Sequence, residues 1–229
     1  MNYYGTDEHK RQMEELDKGI FSKLSLEEAD REKVLENGYV IKFFVADNDH
    51  QMGCTPENAE VCRLYRDNEL IFEWKKIYGK SLMAKIIHHS DGNEYFVFNE
   101  DLYGYSVLDL NTLECMHYMP AQSYKENSEE FEETFIWCDC FYNPETNLLA
   151  VEGCYWACPY NLIVVDFSNP LIPVEAEDWL DVLNKMVELD LDTPHISFEK
   201  WDGNKLFGKG LDEGNVKFGL DDRVEVVLT

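Results

Sequence analysis

Thr134–Pro173, TFIWCDCFYNPETNLLAVEGCYWACPYNLIVVDFSNPLIP, decides the fold class. Turn residues divide it into three consecutive strands. Asn143-Pro144-Glu145-Thr146-Asn147 makes the first turn, Cys158-Pro159-Tyr160-Asn161 the second, and Ser168-Asn169-Pro170 the exit. The run Leu162-Ile163-Val164-Val165 is too short for a buried helix and is rich in β-branched residues, so it reads as a buried strand.

The same pattern recurs on both sides. Upstream, Asn93–Phe98 and then Tyr105–Asn111 mirror Asn147–Val151 and Asn161–Ser168. Downstream, Asn204–Gly208 and Val216–Asp222 form a third copy, and a fainter one ends near Asp67 or Asn68. The aspartates closing the third strands, Asp109, Asp166 and Asp221, lie 57 and then 55 residues apart. Each unit is a turn, a strand, a long loop, a strand ending in Asp and a polar turn. Over roughly residues 39–229 this resembles the meander blades of β-propellers of the WD-repeat type, without that family's histidine and Trp-Asp signatures. The resemblance implies a mostly β chain, either propeller-like or built of stacked antiparallel meanders.

Helices are expected at the edges of this pattern. Residues 7–18 carry a thin apolar stripe, and Ser25-Leu26-Glu27-Glu28 is a capping box that predicts a helix over 26–37, stopped at Gly38. Residues 1–38 therefore form an N-terminal helical segment and 39–229 the meander domain, within one compact unit. A further helix is expected over 175–189, where Trp179, Leu180, Val182, Leu183, Met186 and Val187 make a broad apolar face.

Composition narrows the function. The 229 residues are 45% hydrophobic and 14% aromatic, which supports a sizeable core. Lys plus Arg is 20 and Asp plus Glu is 46, a formal charge of −26. Such a chain repels nucleic acid and anionic membranes and attracts basic partners. Seven cysteines without framework spacing, no apolar leader and no long apolar run point to free thiols in the cytoplasm.

Cys138, Cys140, Cys154 and Cys158 invite a zinc reading. If the hairpin centres near Glu145, Cys140 lies opposite Ala150 and Cys138 opposite Glu152, which puts Cys138, Cys140 and Cys154 on one face. Residues two apart on a strand are roughly 7 Å apart, while zinc–sulfur bonds are about 2.3 Å, so the strand would have to bend sharply. No zinc site is therefore assigned, and no cofactor is expected. His88-His89 sends its rings to opposite faces and cannot jointly hold one metal. The Asp47–Gly53 loop begins like a calcium loop but has Asn58 where a bidentate glutamate belongs. No nucleophile elbow or dinucleotide loop is present, and no catalytic residue is assigned.

What remains is surface. Tyr155, Trp156 and Tyr160 crowd one loop, and Tyr103 and Tyr105 occupy the matching loop of the preceding unit. These are the residue types of an interface anchor. The expected function is a non-catalytic cytoplasmic module that binds a basic protein, of inhibitor or immunity type. A hydrolase using carboxylates and a divalent cation in a central cleft, and a mimic of DNA charge, are the alternatives.

Overall fold

Short strands joined by tight polar turns pair with their neighbours in sequence, because each turn returns the chain antiparallel beside itself. The computed structural model describes residues 1–46, 59–78, 83–125, 129–182, 196–210 and 223–227, and such pairing runs through all of it. The protein is mostly β, with four antiparallel sheets taken in chain order. The first sheet is β1 (Arg31–Val34), β2 (Tyr39–Val45), β3 (Glu60–Arg66) and β4 (Glu69–Lys76). The second is β5 (Ala84–His88), β6 (Glu94–Phe98), β7 (Tyr105–Asp109) and β8 (Cys115–Tyr118). The third is β9 (Ile136–Asn143), β10 (Leu148–Cys154), β11 (Asn161–Asp166) and β12 (Leu180–Asp181). The fourth is β13 (Ile196–Asp202), β14 (Lys205–Gly210) and β15 (Arg223–Val227).

Two copies of the sequence repeat are seen in space. Asp109 and Asp166 end the third strands of the second and third sheets, and β3 ends one residue before Asp67. In the last unit, the segment 216–220 read as a strand lies outside the described residues, and the strand seen beside β14 is Arg223–Val227.

Successive sheets stack face to face. Alternate residues of β6 point to opposite sides: Phe96 and Phe98 pack with Tyr39, Ile41, Leu64 and Trp74 of the first sheet. Tyr95 and Val97 pack with Trp137, Leu149 and Val151 of the third. The third sheet does the same, with Ala150, Leu162 and Val164 turned toward Ile196 and Leu206 of the fourth. Strands buried on both sides favour apolar residues, which is why β6 and β11 carry the runs Tyr95–Phe98 and Leu162–Val165, while β7 buries Ser106 and Asp109 with hydrogen-bond partners. Each large side chain so buried contributes about 1.5–3 kcal/mol.

The N-terminal helix is found as expected. The helix α1 (Asp7–Lys18) begins where the Thr6 hydroxyl accepts the His9 N–H at 3.2 Å. No helix among the described residues is long and apolar enough to cross a membrane.

Three expectations are corrected. The helix over 26–37 does not form; Arg31–Val34 is instead an edge strand paired with β2. The Ser25 hydroxyl takes only the Glu27 N–H, at 3.4 Å, a local turn. Tertiary partners outweigh the capping signal. The Arg31 guanidinium lies 3.5 Å over the Phe43 ring and bonds both Glu60 oxygens at 2.8 Å. Lys33 donates to the Ala84 carbonyl at 3.1 Å. Residues 31–34 thus belong to the first sheet.

The helix expected over 175–189 does not begin at 175; helical backbone is described only at Val182. Ala176–Asp178 is a single 3-10 turn, and Leu180–Asp181 pairs with β11. Trp179 is the cause: its ring meets those of Tyr105, Tyr118 and Trp137, and its Nε1 donates to the Val174 carbonyl at 3.1 Å. Residues 183–189 lie outside the described residues.

The third correction is register. Cys140 pairs with Val151 and Asp139 with Glu152, one step from expectation, because the turn spans 144–147. A bulge between Glu152 and Gly153 then leaves Cys138 without a directly opposed partner. Gly153 makes this crossing possible, since a Cβ there would fall 1.9 Å from the Ile136 carbonyl oxygen. Gly153→Ala should destabilise the protein by about 2–3 kcal/mol through this overlap, read as a lower urea midpoint at unchanged slope.

Candidate functional sites

Two places combine exposure with chemistry. The first is the loop between β10 and β11. A backbone bond from the Cys158 N–H to the Tyr155 carbonyl, 2.9 Å, closes a turn that holds Ala157 at φ 58°. Trp156 and Tyr160 stand outward at 57% and 43% exposure. Tyr155 is half-buried, its ring edge-on to Phe135 and its hydroxyl 3.4 Å from Asp181. The Trp156 N–H is taken by the Glu133 carboxylate. Burial, Asp181, Glu133 and Glu132 together push the Tyr155 phenol up to about 12. A thiol bond with Cys138, with Glu152 nearby, does the same for Tyr160. Glu133 at the Trp156 backbone and Glu152 near Tyr160 place a carboxylate beside each outward residue.

Of the matching loop, Tyr103 is half-buried and its carbonyl accepts the Tyr124 hydroxyl at 3.0 Å. Tyr105 is not a surface residue. It is 3% exposed and stacks on Trp137 at 4.2 Å, and its hydroxyl accepts the Val174 N–H. Strand alternation explains this, because β7 is covered on both faces.

The four cysteines do not share a face. Cys140 is fully buried in the core between the second and third sheets, and burial raises its thiol to about 12. Cys138 and Cys154 are free thiols hydrogen-bonded to each other, both raised by burial, and Cys158 is exposed. Among the described residues no three His, Cys, Asp or Glu side chains are arranged to hold a metal ion. His88 is exposed, while His89 is buried and bonds the Phe167 carbonyl at 2.9 Å. The Asp47–Gly53 loop lies outside the described residues.

The second place was not legible in the sequence. A cleft of about 680 Å³ opens between α1, β4 and β8, with Tyr4, His9, Phe72, Trp74, Glu100 and His117 in its walls. Tyr4 stacks on His117 at 4.1 Å and lies against His9 at 4.7 Å. His117 Nδ1 bonds the Glu100 carboxylate, and the Ser106 hydroxyl donates to the same carboxylate at 2.8 Å. Serine, histidine and glutamate are the residue types of a nucleophilic triad, but the geometry is not. Ser106 is buried and lies 3.1 Å from Nδ1, on the acid's side of the ring, whereas a triad needs its hydroxyl at Nε2. The arrangement orients an imidazole; it does not activate Ser106. No spacing rule joins Tyr4 and His9 to His117, so only the docking of α1 against β8 reveals the group.

No protein-family model matches the chain. A segment is 40% identical over 52 residues to "Uncharacterized protein R762" of Acanthamoeba polyphaga mimivirus, covering 20% of this chain and 21% of that protein. The chain thus spans about a fifth of the length of that relative.

His9 is 7% exposed, and its Nδ1 accepts the Gly5 N–H at 3.2 Å. Desolvation lowers its pKa from 6.5, partly offset by Glu100 and assisted by His117 and Lys10. A depressed histidine favours folding while neutral and opposes it when the unfolded chain binds the proton more readily. Its contribution is therefore complete above pH 6.5 and declines as pH falls below that value. His9→Asn can keep an acceptor for Gly5 without titrating. The unfolding free energy of the wild type relative to His9→Asn should accordingly drop between pH 7.5 and 5.5, measured by urea titration at each pH.

Proposed function

We propose that the protein is a non-catalytic cytoplasmic binding module, a propeller-like run of meanders that captures a basic protein partner through the β10–β11 loop. The observation that carries this reading is the outward Trp156 and Tyr160, with Glu133 and Glu152 beside them and Glu132 and Asp181 at the adjoining Tyr155. Aromatic faces attract guanidinium and ammonium groups, and carboxylates at the rim supply the matching charge. Arginine suits such a site better than lysine, because its flat guanidinium stacks on a ring and bonds a carboxylate at once. The net charge of −26 adds a long-range field that draws a basic partner in. The propeller-like description rests on four successive meanders stacked in chain order. The cytoplasmic reading rests on seven cysteines without framework spacing.

A chain this acidic binds polycations weakly and without specificity, so the test must separate field from site. An arginine-rich peptide should bind at 150 mM salt, and Trp156→Ala/Tyr160→Ala should weaken it about tenfold or more by calorimetry. A lysine peptide of equal length should bind less tightly and lose less in the variant. Equal affinity of wild type and variant for the arginine peptide would leave only the general field and sink the assignment to this loop.

A further inference from the structure

The cleft between α1, β4 and β8 is a separate matter from the aromatic loop, and its chemistry is specific. Its floor is aromatic, with Phe72 and Trp74 side by side at 6.2 Å between centroids. Trp74 is 6% exposed and packs inward, its Nε1–H buried and without an acceptor among the described residues.

The walls add two imidazole nitrogens. His117 Nδ1 faces Glu100, so the carboxylate holds the ring proton there and leaves Nε2 as an acceptor. His9 Nδ1 accepts from Gly5, so the neutral ring carries its proton on Nε2 as a donor. No described residue bonds either Nε2, and neither belongs to the buried polar atoms left without a partner, so both stay accessible. The cleft therefore offers one acceptor and one donor beside an aromatic wall.

Its charge decides what else the ligand carries. Glu14, Asp17, Glu73 and Glu100 line the cleft against Lys10 and Lys75. Lys75 is already bonded to Asp17, and Arg63 holds Glu73 at 2.6 Å. The surplus is negative and disfavours a phosphate.

We propose that this cleft binds an uncharged planar heteroaromatic molecule that presents an amine beside a ring nitrogen, the edge of an aminopurine base or nucleoside. The amine donates to His117 Nε2, a ring nitrogen accepts from His9 Nε2–H, and the ring lies against Phe72. A volume of about 680 Å³ holds such a molecule comfortably.

Adenosine is the probe, titrated into the full chain by calorimetry and by ligand-observed NMR. Saturable binding at one site is expected, with adenosine monophosphate and indole each about tenfold weaker. His117→Phe keeps a ring for Tyr4 to stack on but removes the acceptor, and should weaken adenosine about tenfold. His9→Asn keeps an acceptor for Gly5 but removes the Nε2 donor. It should also weaken adenosine, without the loss of folding that a purely structural role predicts, and so it decides the matter should His117→Phe misfold. Absence of saturable adenosine binding overturns the proposal. So does equal binding of the monophosphate or of indole, or a folded variant that binds adenosine as the wild type does.

Discussion

Tyr105 and Trp137 stack 4.2 Å apart with their planes 5° from parallel, where the second sheet meets the third. This contact lies inside a core closed on both sides, since each of those sheets is also covered on its far face. The constraint that follows is severe. A strand covered on two faces has little room for charge, so β6, β7 and β11 are apolar through their middles, and the buried Asp109 that ends β7 is kept by the Asn111 and Thr112 N–H groups it accepts. Trp179 shows the strength of the same demand: its burial against Tyr105, Tyr118 and Trp137 holds the segment before β12 out of a helix.

The few basic side chains are largely occupied within the fold. Arg31 holds Glu60, Arg63 holds Glu73, Lys42 holds Glu32 and Lys85 holds Asp139. Several also cover aromatic rings, as Arg31 covers Phe43 and Lys85 covers Phe141. Exposed pairs of this kind add little stability, about 0–1 kcal/mol each. Their consequence is electrostatic. With cations held against partner acids along the strands, the remaining carboxylates dominate the field that an approaching molecule meets. The carboxylates beside Trp156 and Tyr160 are a local case of that division.

Legibility in the sequence followed the range of the interactions. The β9–β10–β11 meander was readable because Asn143–Asn147 and Cys158–Asn161 carry their own turn chemistry and Leu162–Val165 admits no other use. The spacing of Asp109 and Asp166 was readable because each ends the third strand of a four-stranded sheet. The stretch after Ser25 misled because a capping box is a local signal, while Arg31 and Lys33 answer to Phe43, Glu60 and Ala84 across the sheet. Exposure of Trp156 could be anticipated from its turn, but burial of Tyr105 depended on a second sheet covering β7. The His9–Tyr4–His117 group depended on a helix from one end of the pattern docking on a strand of the second unit, which no periodicity encodes.

The β10–β11 loop carries one cost that its packing does not require. Ala157 sits at φ 58°, a left-handed conformation that costs a residue with a Cβ about 1–2 kcal/mol. The conformation is held from several sides: Cys158 bonds the Tyr155 carbonyl, Glu133 takes the Trp156 N–H, and Tyr155 reaches Asp181. Relaxing it would let Trp156 fold over the neighbouring apolar surface, which is what hydrophobicity alone favours. Instead the tethers keep the indole outward and ordered before any partner arrives. An anchor fixed in advance loses less conformational freedom on binding, and the strain is then balanced by affinity rather than by stability. That balance is the physical argument for reading this loop as a place of contact and not as a packing accident.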